Sequence, residues 1–151
     1  MTEGPSAHLT WGEIACKDTA KTPYPLKWRT DPNRLPKLTN AFEVVRDYFR
    51  MPIRINSAYR TPTYNRTLPG AALHSQHMQG RALDMVPPTG VPLREFYDAI
   101  VSMAQTRDVG IRYVRGYPTD DPAAGFVHMD VRPSTRLIVV WGGERAELPL
   151  A

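Results

Sequence analysis

The chain has 151 residues, of which 42% are hydrophobic and 23% are charged. This balance is typical of a globular protein and excludes disorder along the whole chain, while the length indicates a single domain. The formal net charge is +4, which favours an acidic partner such as nucleic acid, anionic lipid or an anionic cell-wall polymer without choosing among them.

Residues 1–36 predict an irregular arm that lies on a domain formed by residues 37–151. Prolines interrupt the arm repeatedly, namely Pro5, Pro23, Pro25, Pro32 and Pro36. We expect Trp11 and Trp28 to anchor it. Its start lacks the basic and apolar stretches of a secretory signal, so we expect synthesis in the cytoplasm. The lone cysteine, Cys16, excludes an internal disulfide and every zinc site that needs two or more thiolates.

The first regular element is a helix predicted over residues 39–50, and a strand follows over 53–57. Thr39 or Asn40 can cap the helix, because a short side-chain oxygen accepts a hydrogen bond from the free amides of the first turn. Pro52 lies just beyond its end. The predicted buried face is made of residues at helical spacing, Phe42, Val45 and Phe49.

A long loop is predicted between residues 58 and 80, with one helical turn near Tyr64. Long loops inside compact domains are usually functional or disordered. A short strand over 82–86 follows the loop. A second helix is predicted over 92–106 with Pro92 at its first position, where the backbone needs no amide hydrogen.

Three further strands are predicted over 111–115, 126–131 and 137–141. The last contains the longest apolar run of the chain, which is far shorter than the roughly 20 residues of a membrane-spanning helix. Short connections between these strands favour antiparallel pairing. We therefore predict an α+β fold with a small, mainly antiparallel sheet and helices packed on it.

Polar side chains occur at unusual places in two of these strands. Along 126–131, His128 and Asp130 share one face, because successive side chains alternate across a strand, and the other face is apolar. Asp84 lies in the middle of the strand over 82–86, among apolar neighbours. A buried carboxylate needs a cationic partner, which an arginine or a metal ion would supply.

His77 lies near the end of the long loop, and Gly80 after it allows a tight turn that would fold the histidine towards Asp84. With His128, these residues would offer two nitrogens and one oxygen. That is the three-ligand set of a catalytic zinc site, whereas Ca²⁺ and Mg²⁺ prefer oxygen ligands. In the alternative, His77 is solvated, His128 is a hydrogen-bonded sheet residue and Asp84 is the partner of an arginine.

A resemblance favours the metal site. The segment 75–84, SQHMQGRALD, resembles the signature Ser-x-His-x-x-Gly-x-Ala-x-Asp of the zinc D-Ala-D-Ala carboxypeptidase family of peptidoglycan peptidases. The SAYRTP segment at 57–62, together with Asn65, and GFVHMD at 125–130 are similar to further family motifs. LTWGEIAC at 9–16 resembles the opening of phage-encoded members, so the resemblance extends over most of the chain.

The resemblance implies the fold shared by these peptidases and hedgehog signalling domains, with one zinc ion held by His77, Asp84 and His128. In similar enzymes an arginine at the position of Arg60 binds the substrate carboxylate or the developing oxyanion, a task that suits the forked guanidinium. The alternative for Arg60 is a surface arginine bonded to loop carbonyls. Ser75 is expected to bind a ligand carboxylate or the substrate, or only to cap a turn.

One position departs from the family pattern. Many members place an acidic general base three residues before the last histidine ligand, and this chain has Gly125 there. Asp130 is the first alternative for the base, and Asp120 and Asp121 are the next. Equally, Asp130 could act only by orienting a ligand histidine, whose N–H it would accept.

The resemblance implies that residues 37–151 form a zinc metallopeptidase that hydrolyses the peptidoglycan stem peptide or a cross-link. We expect a D,D-carboxypeptidase or endopeptidase, as a phage or prophage lysin or a virion component. We also expect a monomer that binds no nucleic acid, inserts into no membrane and reaches the cell wall through another factor. The alternative is a non-catalytic, zinc-containing wall-binding module on the same scaffold. Nucleic-acid binding is suggested by the net charge alone, without a basic cluster.

Overall fold

The computed structural model describes residues 3–121 and 124–151, whose strands form one six-stranded sheet with helices against it. The helices in these residues are α1 (Trp11–Ile14), α2 (Leu35–Phe49), α3 (Pro62–Thr67) and α4 (Leu93–Thr106), with 3₁₀ turns at Leu26–Trp28 and Gln76–Gln79. The strands are β1 (Ile55–Ser57), β2 (Ala82–Met85), β3 (Tyr113–Tyr117), β4 (Phe126–Asp130), β5 (Leu137–Trp141) and β6 (Glu144–Leu148).

The sheet has the strand order β1-β2-β4-β3-β5-β6. Neighbouring strands are antiparallel, apart from the parallel pair β3 and β5, which confirms the predicted α+β fold with a mainly antiparallel sheet. His128 on β4 lies opposite Asp84 on β2 and opposite Arg115 on β3. Because directly opposed residues share a face, these three side chains lie side by side on one surface of the sheet.

The hydrophobic core fills the space between the sheet and the two long helices, and α4 packs across β3, β4 and β5. Fully buried core side chains include Phe42 and Val45 of α2, Phe96 and Ile100 of α4, and Val127 and Met129 of β4. The apolar face of β4 therefore points into the core, which leaves its His128 face for the site. Across residues 3–121 and 124–151, we find no helix with the length and apolarity needed to cross a membrane.

The N-terminal segment packs on this core through Leu9, Ile14 and Tyr24. The short helix α1 is fixed at its start by two reciprocal hydrogen bonds. Thr10 Oγ1 accepts one from the amide of Glu13, and the Glu13 carboxylate accepts the other from the amide of Thr10. Such a box pairs two amides that a helix start would leave unpaired. Further along the segment, Trp28 makes an edge-to-face contact with Tyr24.

Helix α2 begins at Leu35, earlier than the predicted start at residue 39. Its N-cap is Arg34, whose side chain makes no capping hydrogen bond, so the predicted caps Thr39 and Asn40 lie inside the helix. Pro36 fits in the first turn, where its missing amide hydrogen costs nothing. The prediction was wrong because it treated this proline as part of the arm.

Strand β6 was not predicted. It forms a hairpin with β5 through the pair Gly142-Gly143, and Gly142 has a φ of 58°. Its side chains are almost all exposed, so it lacks the apolar alternation that identifies a half-buried strand. The sequence signal that could have located it is the two-glycine turn, which is typical of tight hairpins.

Candidate metal centre and its cleft

Three potential metal ligands converge from separate elements. His77 lies on the 3₁₀ turn before β2, Asp84 on β2 and His128 on β4. The ligand atoms of this His–Asp–His group all lie within 4.8 Å of one another. Asp84 Oδ1 is 3.0 Å from His77 Nε2 and 2.9 Å from His128 Nδ1. The structure thus brings together the three residues that the sequence singled out as ligands.

The 3₁₀ turn that carries His77 is fixed at both ends. At its start, the Ser75 hydroxyl accepts a hydrogen bond from the His77 amide at 3.1 Å. At its end, Gly80 has a φ of 69° and its carbonyl accepts a bond from the Tyr24 hydroxyl at 2.6 Å. A Cβ atom at residue 80 would lie 2.5 Å from that hydroxyl oxygen. Only glycine fits both the left-handed backbone and the close approach of the tyrosine.

The orientation of the His77 ring is set by Ala58. His77 Nδ1 lies 2.6 Å from the Ala58 carbonyl oxygen, and because a carbonyl can only accept, Nδ1 carries the hydrogen. Burial lowers the pKa of His77 despite the attraction of Asp84, so the neutral ring presents an unprotonated Nε2 to Asp84 Oδ1. Two acceptors that face each other at 3.0 Å are a poor pair unless a cation joins them.

His128 is held from its other side by Asp130. His128 Nε2 donates to Asp130 Oδ2 at 2.8 Å, which directs Nδ1 towards Asp84. Asp130 also accepts two bonds from the Arg132 guanidinium, at 2.7 and 2.8 Å, and its side chain is fully buried. Burial works to lower the pKa of His128, but the bonds to Asp130 and Asp84 outweigh it and raise the pKa to about 9.

Arg60 completes the polar layer around Asp84. Its guanidinium donates to Asp84 Oδ2 at 3.3 Å, to Ser57 Oγ at 3.0 Å and to Asn65 Oδ1 at 3.3 Å. Burial works to raise the pKa of Asp84, but the two histidines hold the pKa well below its usual range. Asp84 is therefore an ionised carboxylate with one oxygen directed at the histidines and the other at an arginine.

The donor set fits a zinc ion. Two imidazole nitrogens and one carboxylate oxygen, each oriented by a second protein group, match the three-ligand catalytic type that leaves further positions to water or substrate. Nitrogen donors disfavour Ca²⁺ and Mg²⁺. The facing acceptors of His77 and Asp84 supply the physical reason for a cation at this place.

A cleft of about 390 Å³ opens over the His–Asp–His group. The arginines that line it are Arg60, Arg115, Arg132 and Arg145. In the described part of the chain, Asp84 is the one acidic residue among the lining side chains. The cleft therefore favours an anionic ligand over a cationic one.

The remaining residues that the sequence predicted for the site differ in whether they reach the cleft. Ser75 is buried, lines the cleft and caps the turn of His77. Asp120 and Asp121 are exposed and are not among the described residues that line the cleft. Asp130 turns its buried carboxylate to His128 and Arg132, an arrangement that favours the orienting alternative over the general base.

The structure gives a reason for glycine at residue 125. A Cβ atom there would lie 2.6 Å from Leu93 Cδ2 and 3.3 Å from the Tyr117 carbonyl oxygen. The start of α4 and the end of β3 thus crowd this position, where many similar enzymes have an acidic residue. A longer side chain at residue 125 would have to displace Leu93.

Two cleft residues, Gln76 and Arg115, were missed by the sequence analysis. Arg115 was within a predicted strand, and the clue was its alternation with Tyr113 and Tyr117 on a face that is not core. Its placement next to His128 depends on the pairing of β3 with β4, which local sequence patterns do not reveal.

Comparison with known proteins gives one family. The sequence model of the Peptidase M15 family matches residues 7–120, a stretch that includes His77 and Asp84 and ends before His128. No curated protein matches the chain. A solved structure, the L-Ala D-Glu endopeptidase ChiX of Serratia marcescens, is similar with a TM-score of 0.46 and 21% sequence identity, over 64% of this chain and 79% of that chain.

Proposed function

The chain belongs to the peptidase M15 family of zinc-dependent peptidases, and from this premise we propose that it hydrolyses a peptide bond in the stem peptide or cross-link of peptidoglycan. The observation that supports the proposal most is the convergence of His77, Asp84 and His128 at the base of a cationic cleft. Peptidoglycan stems are acidic peptides, so their charge suits the arginines that line this cleft.

The ligand atoms that would hold zinc are His77 Nε2, His128 Nδ1 and Asp84 Oδ1. A zinc ion supplies Lewis-acid polarisation of a carbonyl and a lowered pKa for a water molecule. Hydrogen bonds from the outer nitrogens to the Ala58 carbonyl and to Asp130 orient the two rings, so that His77 Nε2 and His128 Nδ1 point inward. The protein's contribution is thus a set of ligands that needs little reorganisation when the metal binds.

We assign Arg60 to both positioning and substrate binding. Its bond to Asp84 Oδ2 holds that carboxylate in place, while its place in the cleft wall allows the guanidinium to attract a substrate carboxylate or the oxyanion that develops during hydrolysis. Ser75 fixes the His77 turn through its cap, and its position in the cleft wall supports a polar contact to substrate.

We propose that Asp130 is a positioning residue. Its carboxylate is fully buried behind His128 and bonded to Arg132, so it can fix and polarise the imidazole without touching the substrate. The alternative of Asp130 as general base would require one of these bonds to open during turnover.

Two further proposals concern which peptide bond is cut and whether the protein acts as a lysin or in a virion. A D,D-carboxypeptidase or endopeptidase activity follows the resemblance of the motif at residues 75–84, and a lysin or virion role follows the resemblance at residues 9–16. The proposal also takes the protein to act on the cell wall as a monomer.

A wall-binding module without catalysis is the second candidate. The observation that favours it is Gly125, together with a cleft whose one acidic residue among the described lining residues, Asp84, is already bonded to two histidines and an arginine. Such a module would bind peptidoglycan and release no new products.

Digestion of purified sacculi separates the two candidates. The protein is incubated with sacculi with and without a zinc chelator, and the soluble products are identified by mass spectrometry. A peptidase releases stem-peptide fragments that disappear with chelator and return with added zinc. Sedimentation of the protein with sacculi in the absence of any new fragment would support the binding module.

A further inference from the structure

Two buried side-chain polar atoms lack a hydrogen-bond partner within residues 3–121 and 124–151, and both belong to the cleft. They are Arg115 Nε, a donor, and Gln76 Oε1, an acceptor. A buried polar atom without a partner is costly, and native proteins contain few of them. Both residues line the same cleft, where a bound ligand could supply the missing partners.

Arg115 lies directly beside the metal centre. It is opposite His128 in the pairing of β3 with β4, and its side chain shares that face of the sheet. Its guanidinium carbon lies 4.6 Å from the centre of the Tyr117 ring, a distance at which an aromatic ring attracts a cation. Tyr117 therefore helps to hold the Arg115 guanidinium in the cleft wall.

Two other arginines of the cleft are each paired with a carboxylate. Arg60 is bonded to Asp84, and Arg132 is bonded to Asp130. Arg115 makes no ion pair with any carboxylate in the part of the chain that the structure describes. Arg115 thus lacks the carboxylate partner that Arg60 and Arg132 each have.

We propose that Arg115 forms a carboxylate-binding subsite next to the scissile bond and that Gln76 accepts an N–H from the same substrate. The inference rests on the proposed function and names its substrate class: an acidic peptide with a free carboxylate close to the bond that is cut. A guanidinium fork pairs a carboxylate at two points, whereas a primary amide offers it one neutral oxygen. Amidation of that carboxyl group should therefore weaken binding and lower kcat/KM, which gives the enzyme a preference for the free acid over the amide.

The experiment uses a synthetic stem pentapeptide with all carboxyl groups free and a set of peptides in which each carboxyl in turn is a primary amide. kcat/KM is measured for zinc-loaded wild type, Arg115→Gln, Arg115→Lys and a control, Arg136→Gln. Arg136 has the same charge, but its side chain is 73% exposed and it lies outside the cleft. Product-peptide binding is measured in parallel by calorimetry, which does not depend on turnover.

We expect one particular amidation to lower kcat/KM of the wild type by about 10- to 100-fold, the range of a charge-assisted hydrogen-bonded pair. Arg115→Gln should lose a similar factor on the free acid and be indifferent to that amidation, as a double-mutant cycle requires. Arg115→Lys should retain part of the preference, and Arg136→Gln all of it. The calorimetric affinities should follow the same pattern.

Three results would contradict either the subsite or the proposed function. If the wild type cleaves the peptides but Arg115→Gln keeps the full acid-over-amide preference, the subsite is wrong and the proposed function stands. If the wild type binds and cleaves none of them, the proposed function fails and the subsite with it. If Arg115→Gln does not fold, Arg115→Lys decides. An acid-over-amide preference in Arg115→Lys as large as that of the wild type would overturn the subsite.

Discussion

His128 Nε2 lies 2.8 Å from Asp130 Oδ2, while the other nitrogen of the same ring lies 2.9 Å from Asp84 Oδ1. The imidazole is therefore clamped between two carboxylates, of which only Asp84 lines the cleft. The two carboxylates thus have different roles: Asp84 could bind a metal ion, whereas Asp130 holds the His128 ring in place.

Asp130→Asn tests the positioning role of Asp130. Because the amide weakens the bond that orients His128, we expect zinc affinity to fall about 10- to 100-fold. Turnover at saturating zinc should fall much less. The measurements are competition with a chromogenic chelator and peptide hydrolysis in excess zinc. Asp98→Asn, an exposed carboxylate paired with Arg94, is the matched control; unchanged zinc affinity together with lost turnover in Asp130→Asn would instead indicate a general base.

Replacement of Arg60 tests a group that contacts both Asp84 and the proposed substrate. We expect Arg60→Lys to lower kcat/KM by about 100-fold or more, because a single ammonium cannot bond Ser57, Asn65 and Asp84 and still bind an oxyanion. Steady-state kinetics and zinc content measure the two effects separately. A variant with normal kinetics would show that the three bonds of Arg60 serve the loop alone.

Gly80→Ala tests the coupling between the N-terminal segment and the metal centre. A Cβ atom at residue 80 meets the Tyr24 hydroxyl and Trp28 on a backbone with positive φ, so we expect a loss of about 2–4 kcal/mol in the free energy of unfolding. Gly70 also has positive φ but open space around it, and Gly70→Ala should cost about 1 kcal/mol. Chemical denaturation measures both. Equal losses would mean that the contact with Tyr24 contributes nothing.

Tyr24→Phe probes the same coupling by removal of one atom. The Tyr24 hydroxyl is buried and donates to the Gly80 carbonyl at 2.6 Å, so its loss leaves that carbonyl without this donor. We expect a decrease of about 1–2 kcal/mol in the free energy of unfolding and weaker zinc binding, because the turn of His77 loses its support. A stability equal to that of the wild type would show that the bond makes no net contribution.

Much of the fold could be predicted where the local pattern was strong. The alternation along β4 correctly placed Val127 and Met129 in the core and His128 on the opposite face, since strand periodicity is a local property. The start of α2 was missed because Arg34 gives no capping signal, and β6 was missed because its side chains are exposed.

For the site, the sequence predicted which residues form the group and offered Asp130 either as a base or as the partner of a ligand histidine, but it did not indicate the contacts of the arginines. The motif around His77 and Asp84 identified potential ligands, and the structure places them with His128. The roles of Asp130 and Arg115 depend on which strands pair and on which arginine lies near which carboxylate. Those are long-range relationships that local sequence patterns do not reveal.

The measurement that tests the central claim most directly combines zinc analysis with mass spectrometry of peptidoglycan digests for the wild type and His77→Ala. His8→Ala is the control, since His8 is bonded to Glu43 and does not line the cleft. We predict that wild type and His8→Ala bind zinc and release stem-peptide fragments, and that His77→Ala, which loses one of three protein ligands, does neither. If His77→Ala released as many stem-peptide fragments as the wild type, the proposed zinc peptidase would be contradicted.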